Sequence, residues 1–454
     1  MKTKLSFCGG VGSVTGANFL LESEDFRFLV DCGLVQGGKN KHVENAQKFE
    51  YNPSTVDALF ITHGHIDHIG RIPKLVQEGF SGKIYSTPET KDIAAHMFDD
   101  AWKIMDYNFK KYGHKPIYEK RYIQEALNQW ETRDYHTHFE VGPYDVFFKD
   151  AGHILGSVMI QVRPKSGGKT ITFTGDLGNS PTPLLRDTES VGNSAYLCME
   201  SVYGDRNHES KEARDKKLED ALNKTIARGG TVLIPAFSLE RTQIILYAIN
   251  NLIEDGKVPS VPVFLDSPLA IKITEVYKKY KDRFNKSVRE EIAGGDDIFD
   301  FPKLKMVSNA RQSEMIQKEK GSKIIIAGSG MSAGGRVQGH EKTYLPGKEN
   351  SLLIVGYQAL GTLGRLIHEK VKKVRIDQEW VKIRAEVIDI QGYSSHKDSD
   401  NLVDFVGTAG DDLEKVFMLM GEPKSALFLA QRVQDEYGVD AIYPNRGQVY
   451  EIDL

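Results

Sequence analysis

Three cysteines are all that this chain of 454 residues offers. Cys8, Cys32 and Cys198 are odd in number and far apart, which excludes a disulfide framework and a cysteine-based zinc cluster. Each sits in a short apolar stretch, the setting of a small buried thiol in a reducing cytoplasm. An excess of basic residues is missing as well. Lys and Arg number 59 against 63 Asp and Glu, a formal net charge of −4. That excludes a globally cationic nucleic-acid binder, although a local cleft on such a protein can still be positive. No apolar run reaches bilayer-spanning length, and "MKTKLSFCGGVG" has no signal-peptide core. No membrane partner and a cytoplasmic location are therefore expected. Solenoid-period repeats and low-complexity segments are lacking too.

What is present reads as two domains, since the chain is longer than one hydrophobic core usually serves. Up to about residue 200, short apolar or alternating runs end in turn residues: "KLSFCGG", "ANFLLES", "FRFLVDCG", "ALFITHG", "SVMIQVRP", "TITFTGDLG" and "AYLCMES". Helical patterns are fewer there, in "GRIPKLVQEGF" and "TKDIAAHMFDDAWKIMDY". This is a layered mixed pattern, not a regular βαβ alternation. From about residue 205 the texture changes. Buried strands such as "TVLIPAF", "KIIIAGSG" and "SLLIVGY" alternate with amphipathic helices, as in a parallel sheet with covering helices. Ser238 is the expected cap of the helix in "SLERTQIILYAINNLIEDG".

Chemistry concentrates in "LFITHGHIDHIG". His63 and His65 alternate along an extended segment, so both can point one way. Asp67 and His68 follow on a turn into the next helix. Imidazole and carboxylate suit Zn²⁺, and four such ligands in so short a span can serve two neighbouring ions. Two single candidates stand at later strand ends. "KDAGHILGS" carries His153, and "ITFTGDLGN" carries Asp176 between glycines. "FLVDCG" places Asp31 where an aspartate can accept an N–H from a ligating histidine and fix its tautomer. Taken singly, a glycine-flanked His or Asp is most often a turn residue.

As an ordered set, Asp31, HxHxDH, a glycine-flanked histidine and TGD resemble the metallo-β-lactamase superfamily. The resemblance implies an α/β fold, the αββα sandwich, with a two-metal site on the sheet edges. By position it implies that His63, His65 and His153 hold one metal, that Asp67 and His68 hold the other, and that Asp176 bridges them. Glu200 in "CMESVYGDR" and His396 in "GYSSHKD" resemble motifs A and B of the β-CASP branch. "PAFSLERTQ", "DSPLA", "GSGMSAGGRVQGH" and "GYQALGTLGR" are also similar to that branch. The implied domains are residues 1–204 and 393–454 for the metallo-β-lactamase unit and 205–392 for an inserted β-CASP α/β domain.

One departure stands out. Many β-CASP nucleases carry another histidine in a segment similar to "VHGE"; here the matching segment is "FMLMGEPKSA" and the residue is Met420. A thioether is a poor donor to Zn²⁺, so one or two zinc ions are expected and the second is in question. The bland alternative is a core methionine at a strand end.

Within "GSGMSAGGR", backbone N–H groups around Ser329 and Gly330 can face an anion, and Arg336 can clamp a phosphate. The loop lacks the lysine of a Walker A motif, and its alternative is a plain connection. Arg241 reads as a helix-surface residue. His136 and His138 in "YHTHFE" repeat HxH without acid partners and read as surface. "KKYKDR" and "KVKKVR" read as solvated faces or as the walls of an RNA path.

The resemblance implies a metal-dependent phosphodiesterase that cleaves RNA through a metal-activated hydroxide, with Asp176, Glu200 and His396 as catalytic residues. The alternatives are a small-molecule ester or thioester hydrolase, and an RNA-processing scaffold of weakened catalysis. A homodimer is kept open as the assembly.

Overall fold

Adjacent residues on three neighbouring strands face opposite ways. Phe19, Phe28 and Phe60 enter one buried cluster, while Leu20, Leu29 and Leu59 enter another. That is the period-two signature of a sheet covered on both faces. The computed structural model describes residues 1–37, 41–359 and 361–454; Leu360 of "GYQALGTLGR" lies outside them. The chain divides into two compact units, Met1–Asn207 with Ser395–Leu454, and His208–Ser394.

In the first unit the strands are β1 (Lys2–Gly9), β2 (Asn18–Glu22), β3 (Arg27–Val30), β4 (Ala58–Phe60), β5 (Lys83–Ser86), β6 (Trp130–Thr132), β7 (His138–Val141), β8 (Tyr144–Asp150), β9 (Val158–Pro164), β10 (Ile171–Phe173) and β11 (Tyr196–Glu200). The second unit contributes β12 (Thr231–Pro235), β13 (Val263–Asp266), β14 (Leu304–Met306), β15 (Lys323–Ala327), β16 (Ser351–Ile354), β17 (Lys373–Ile376), β18 (Glu379–Lys382) and β19 (Glu386–Asp389). The chain then returns to the first unit with β20 (Lys415–Leu419), β21 (Asp440–Ile442) and β22 (Val449–Asp453).

The first unit holds two seven-stranded sheets, ordered β22-β1-β2-β3-β4-β5-β6 and β21-β20-β11-β10-β9-β8-β7. Phe7, Phe19, Phe60 and Tyr85 of one sheet meet Phe148, Ile160, Phe173 and Phe417 of the other in the cluster between them. On the outer side of the first sheet, Leu29 and Leu59 pack with Ile72, Leu75 and Phe98 from the helices Ile72–Gln77 and Pro88–Tyr112. On the outer side of the second, Leu197 and Met418 pack with Leu402 and Leu429 from Ser399–Val406 and Pro423–Tyr437. The unit is thus an αββα sandwich. Cys8, Cys32 and Cys198 are all buried thiols.

The second unit is built on a six-stranded parallel sheet, order β14-β13-β15-β12-β16-β19, with β17 and β18 as a separate antiparallel pair. Its helix after "PAF" starts later than the capping pattern suggests. It spans Arg241–Glu254 with Glu240 at the cap position and no side-chain cap bond. Ser238 instead places its hydroxyl 3.1 Å from that of Ser267. Arg241, expected on the surface, is buried. Among the described residues no helix is long and apolar enough to cross a membrane.

Candidate metal centre

The centre forms where strands of both sheets end. β4 runs out at Phe60, and Thr62, His63 and His65 follow before the one-turn helix Ile66–Ile69. β3 ends one residue before Asp31, which adopts φ 59° and turns its carboxylate back under Thr62. There it accepts the Thr62 amide at 2.8 Å and the Thr62 hydroxyl at 2.7 Å. Gly33 lets the chain pass: a Cβ there would lie 1.4 Å from the Asp67 carbonyl oxygen. From the other sheet, β10 leads through Thr174 and Gly175 to Asp176. Gly175 has φ 55° and no room for a Cβ, which would meet Thr62 Cβ at 2.6 Å.

Three imidazoles and a carboxylate converge. His63 Nε2 is 3.0 Å from His65 Nδ1, and His153 Nε2 is 3.3 Å from the same atom. Asp176 Oδ2 is 3.4 Å from His63 Nε2 and 3.5 Å from His153 Nε2. The outward nitrogens explain the orientation. His63 Nδ1 lies 3.0 Å from the Thr62 hydroxyl, whose own proton goes to Asp31. His153 Nδ1 donates to the Ser395 carbonyl at 3.2 Å. Both rings then carry their proton outward and turn a lone pair inward. Burial, first of all, lowers the pKa of His65 and His153 well below the usual imidazole range and lowers His63 too. Neutral imidazole is the form a metal ligand needs.

A second set shares Asp176. His68 donates Nδ1–H to Asp31 Oδ2 at 2.7 Å, and its Nε2 stands 3.5 Å from Asp176 Oδ1. Those two facing atoms are buried without a hydrogen-bond partner among the described residues. Burial pulls the His68 pKa down, yet Asp176 and Asp31 hold it well above the ordinary value. Burial pushes Asp176 up, and His68 and His63 overcome it to hold the carboxyl well below its ordinary range. Asp67 falls outside the tight clusters; burial pushes its carboxyl up to about 6.

Glu200, at the end of β11, grips His396. Its oxygens are 3.1 and 3.2 Å from His396 Nδ1, and Oε1 also accepts the Leu177 amide at 2.5 Å. Backbone pairing brings the distant segment in: the Asn179 amide donates to Ser395 and the Lys397 amide to Leu177, each at 2.9 Å. Asp176 Oδ2 is 4.0 Å from His396 Nδ1, so Asp176, Glu200 and His396 form a second cluster of potential ligands. Burial opposes protonation of His396, but the Glu200 carboxylate prevails and raises its pKa to about 9.

The donor set fits a metal. Tetrahedral Zn²⁺ with bonds of about 2.0–2.1 Å needs donor atoms about 3.3 Å apart; four of the six donor pairs here are 3.0 to 3.5 Å apart, and all six lie within 4.8 Å. The orphaned His68 Nε2 and Asp176 Oδ1 call for a cation on the other side of Asp176. Thr62 is the residue that motif reading passes over. Its signal is its place, directly before HxH at a strand end.

Met420 directly follows β20, whose Leu419 lies opposite Glu200. It has φ 49°, donates its amide to Gly10 at 2.7 Å, and is buried among Phe7, Phe19 and Phe417. The candidate phosphate loop lies in the second unit. The amides of Ser329, Ser332 and Val337 serve loop carbonyls, and the amide of Ala333 serves the Ser329 hydroxyl. The Gly330 carbonyl accepts from Gln358 at 2.9 Å. Arg336 has another partner than a phosphate. Its guanidinium meets Asp266 at 2.6 Å and the Val307 and Ser308 carbonyls, because Asp266 is fully buried and needs a counter-charge. His136 and His138 do have acid partners, Glu189 at 2.6 Å and Asp145 at 2.8 Å.

Residues 12–236 match the metallo-beta-lactamase superfamily, 242–367 the Beta-Casp domain, and 380–444 the Zn-dependent metallo-hydrolase RNA specificity domain. The chain is 33% identical over 423 residues to ribonuclease TTHA0252 of Thermus thermophilus, covering 93% of this chain and 94% of that protein. It is 31% identical over 460 residues to transcription termination factor FttA of Pyrococcus horikoshii, covering 97% of this chain and 70% of that one. A crystal structure of a protein of unknown function from Enterococcus faecalis V583 aligns over 100% of both chains, with a TM-score of 0.55 at 14% identity, a likeness of fold.

Proposed function

The chain belongs to the β-CASP branch of the metallo-β-lactamase superfamily, and from that premise we propose that it hydrolyses RNA phosphodiester bonds at the centre built on Asp176. It is a metal-dependent hydrolase with RNA as substrate. The observation that carries the assignment of roles is the sharing of one carboxylate. Asp176 faces His63 and His153, the orphaned His68 nitrogen and the His396–Glu200 pair, with His65 completing the first cluster.

His63, His65 and His153 are the natural holders of one ion, with Zn²⁺ the fitting identity. Asp67 and His68 are the residues for a second, and Asp176 the bridge. A divalent cation supplies Lewis acidity, making a water acidic enough to attack near neutral pH and offsetting phosphate charge. The residues do the rest. Asp31 and Thr62 orient His63 and His68 so that Nε2 of each faces Asp176, and His68 would give up its Nε2 proton on binding a cation. Glu200 holds His396 by Nδ1, so that Nε2 delivers a proton to the leaving oxygen as the phosphorus–oxygen bond breaks. In the second unit, Ser329 and Gly330 are proposed to meet an RNA phosphate. Arg336 would join them only by sharing its hydrogen bonds with Asp266.

The test is product analysis with end-labelled RNA and a panel of thioesters, with and without chelator. Chelator-sensitive cleavage of RNA is expected. Turnover of thioesters alone would sink the reading.

A further inference from the structure

Lys373 and Lys382 stand directly opposite each other in the β17–β18 hairpin, and Arg375 stands opposite Trp380. The hairpin has two unlike faces. Val374, Ile376 and Val381 are buried in a core cluster of the second unit, whereas Lys373, Arg375, Trp380 and Lys382 are exposed. Like charges directly opposed across an antiparallel pair destabilise it. Trp380 is 64% exposed, with Lys373 Nζ 4.5 Å from its ring centroid.

The surrounding charges sharpen the point. Lys370, Lys372 and Arg384 are exposed close by. Neither they nor the hairpin cations form an ion pair among the described residues. Three of the neighbouring acids are held by other cations, Glu369 by Arg365, Glu379 by Lys342, and Glu386 by Lys224 and Arg228; Asp377 in the hairpin turn offsets one of the six positive charges. A chain of net charge −4 thus concentrates unneutralised cations around one exposed indole.

We infer that the outer face of this hairpin binds single-stranded RNA, stacking a base on Trp380 and meeting flanking phosphates with Lys373, Arg375 and Lys382. Cations interleaved with an aromatic platform are the chemistry of single-strand binding. A protein interface core is depleted in lysine, which disfavours a protein partner here. The inference rests on RNA being the substrate and adds a holding surface on the second unit.

The experiment titrates the full chain, in chelator, into oligouridylate of about 20 nucleotides, longer than one stacking platform occupies, following the anisotropy of a fluorophore on the RNA end across a salt series. Trp380→Ala is expected to lower affinity roughly 5- to 100-fold, and Trp380→Phe to restore it. The triple variant Lys373→Gln, Arg375→Gln, Lys382→Gln is expected to flatten the salt slope by about 2 units, since each single-strand phosphate contact contributes about 0.7. All these positions are on an exposed face, and unchanged thermal melting verifies the fold. RNA affinity and salt slope equal to wild type overturn the inference. So does a loss confined to phosphatidylserine vesicles or to a protein ligand. Cleavage of the same RNA with metal restored is scored separately. Binding through the hairpin without cleavage leaves this inference standing and sinks the hydrolase reading. Cleavage with hairpin-independent binding does the reverse.

Discussion

His68 donates Nδ1–H to Oδ2 of Asp31 at 2.7 Å, and that bond decides which nitrogen of His68 faces Asp176. The same carboxylate takes the Thr62 hydroxyl, whose oxygen lies 3.0 Å from His63 Nδ1. One buried aspartate therefore orients a ligand candidate on each side of Asp176. Asp31→Asn keeps the volume and removes the charge. We expect metal affinity to fall by about 10- to 100-fold, the usual cost of losing a partner that orients a ligand. Chelator competition measures it. Unchanged affinity would refute the role given to Asp31.

His396 and Glu200 lie within 4.8 Å of Asp176 in a cluster that excludes the three histidines, so their loss should separate chemistry from metal content. His396→Ala is expected to lower kcat by about 10²- to 10⁴-fold, the range of a lost general acid. Metal content should stay as in wild type. Glu200→Gln keeps an oxygen for the Leu177 amide and loses the charge that holds His396. It should lower kcat in the same direction with KM little changed, the sign of an interaction made only in the transition state. Steady-state cleavage of labelled RNA beside elemental analysis decides it. Metal loss matching the activity loss would make His396 a ligand instead.

These contrasts mark what could be read from the chain alone. Unbroken apolar runs in "NFLLE" and "RFLV" announce a sheet covered on both faces, because pleating turns successive side chains to opposite sides. HGHIDH is legible because its candidate ligands are close in sequence. Asp31 is recognisable at its strand end, but its left-handed turn under Thr62 depends on the contacts around it. Partners far apart in sequence stay hidden. Asp266 claims Arg336 across 70 residues, and Glu189 meets His136 across 53. Ser238 fails as a cap because Ser267 competes for its hydroxyl. The Lys373–Lys382 opposition needs the hairpin register, which "KVKKVR" does not carry.

Met420 offers a gain-of-function test. Its φ of 49° is one that histidine tolerates better than most residues, and it stands beside the strand that ends in Glu200. Met420→His should raise zinc stoichiometry. In chelator the variant should be less stable than wild type, because a polar ring replaces a thioether in an apolar cluster. Added zinc should then raise its Tm by more than it raises that of wild type, as binding to the folded state alone requires; an ion at 100 times its Kd contributes about 2.7 kcal/mol. Equal stoichiometry and equal zinc-dependent shifts would reject Met420 as the site of the missing ligand.

The second unit holds a pH-dependent element of its own. Glu341 is fully buried in the helix Arg336–Tyr344. One carboxyl oxygen accepts from the Ser332 hydroxyl, and the other has no partner among the described residues. Burial pushes the carboxyl up to about 8, and the Ser332 bond only partly opposes it. An unfolded glutamate titrates near 4.3. Below that value both states hold the proton and stability does not depend on it. Between about pH 4.3 and pH 8 the unfolded chain releases a proton that the folded state keeps, so stability falls as pH rises, by at most about 1.4 kcal/mol per unit. Above pH 8 both states are ionised and the loss is complete. Glu341→Gln keeps an acceptor for Ser332 and cannot ionise. The variant should match wild type or fall slightly below it at pH 5, where its amide lacks a partner, and exceed it at pH 8 by several degrees in Tm. Melts of the pair at pH 5, 6.5 and 8 cancel the contributions of all other titrating groups. A Tm difference that is the same at all three would mean that Glu341 is ionised in the folded protein throughout.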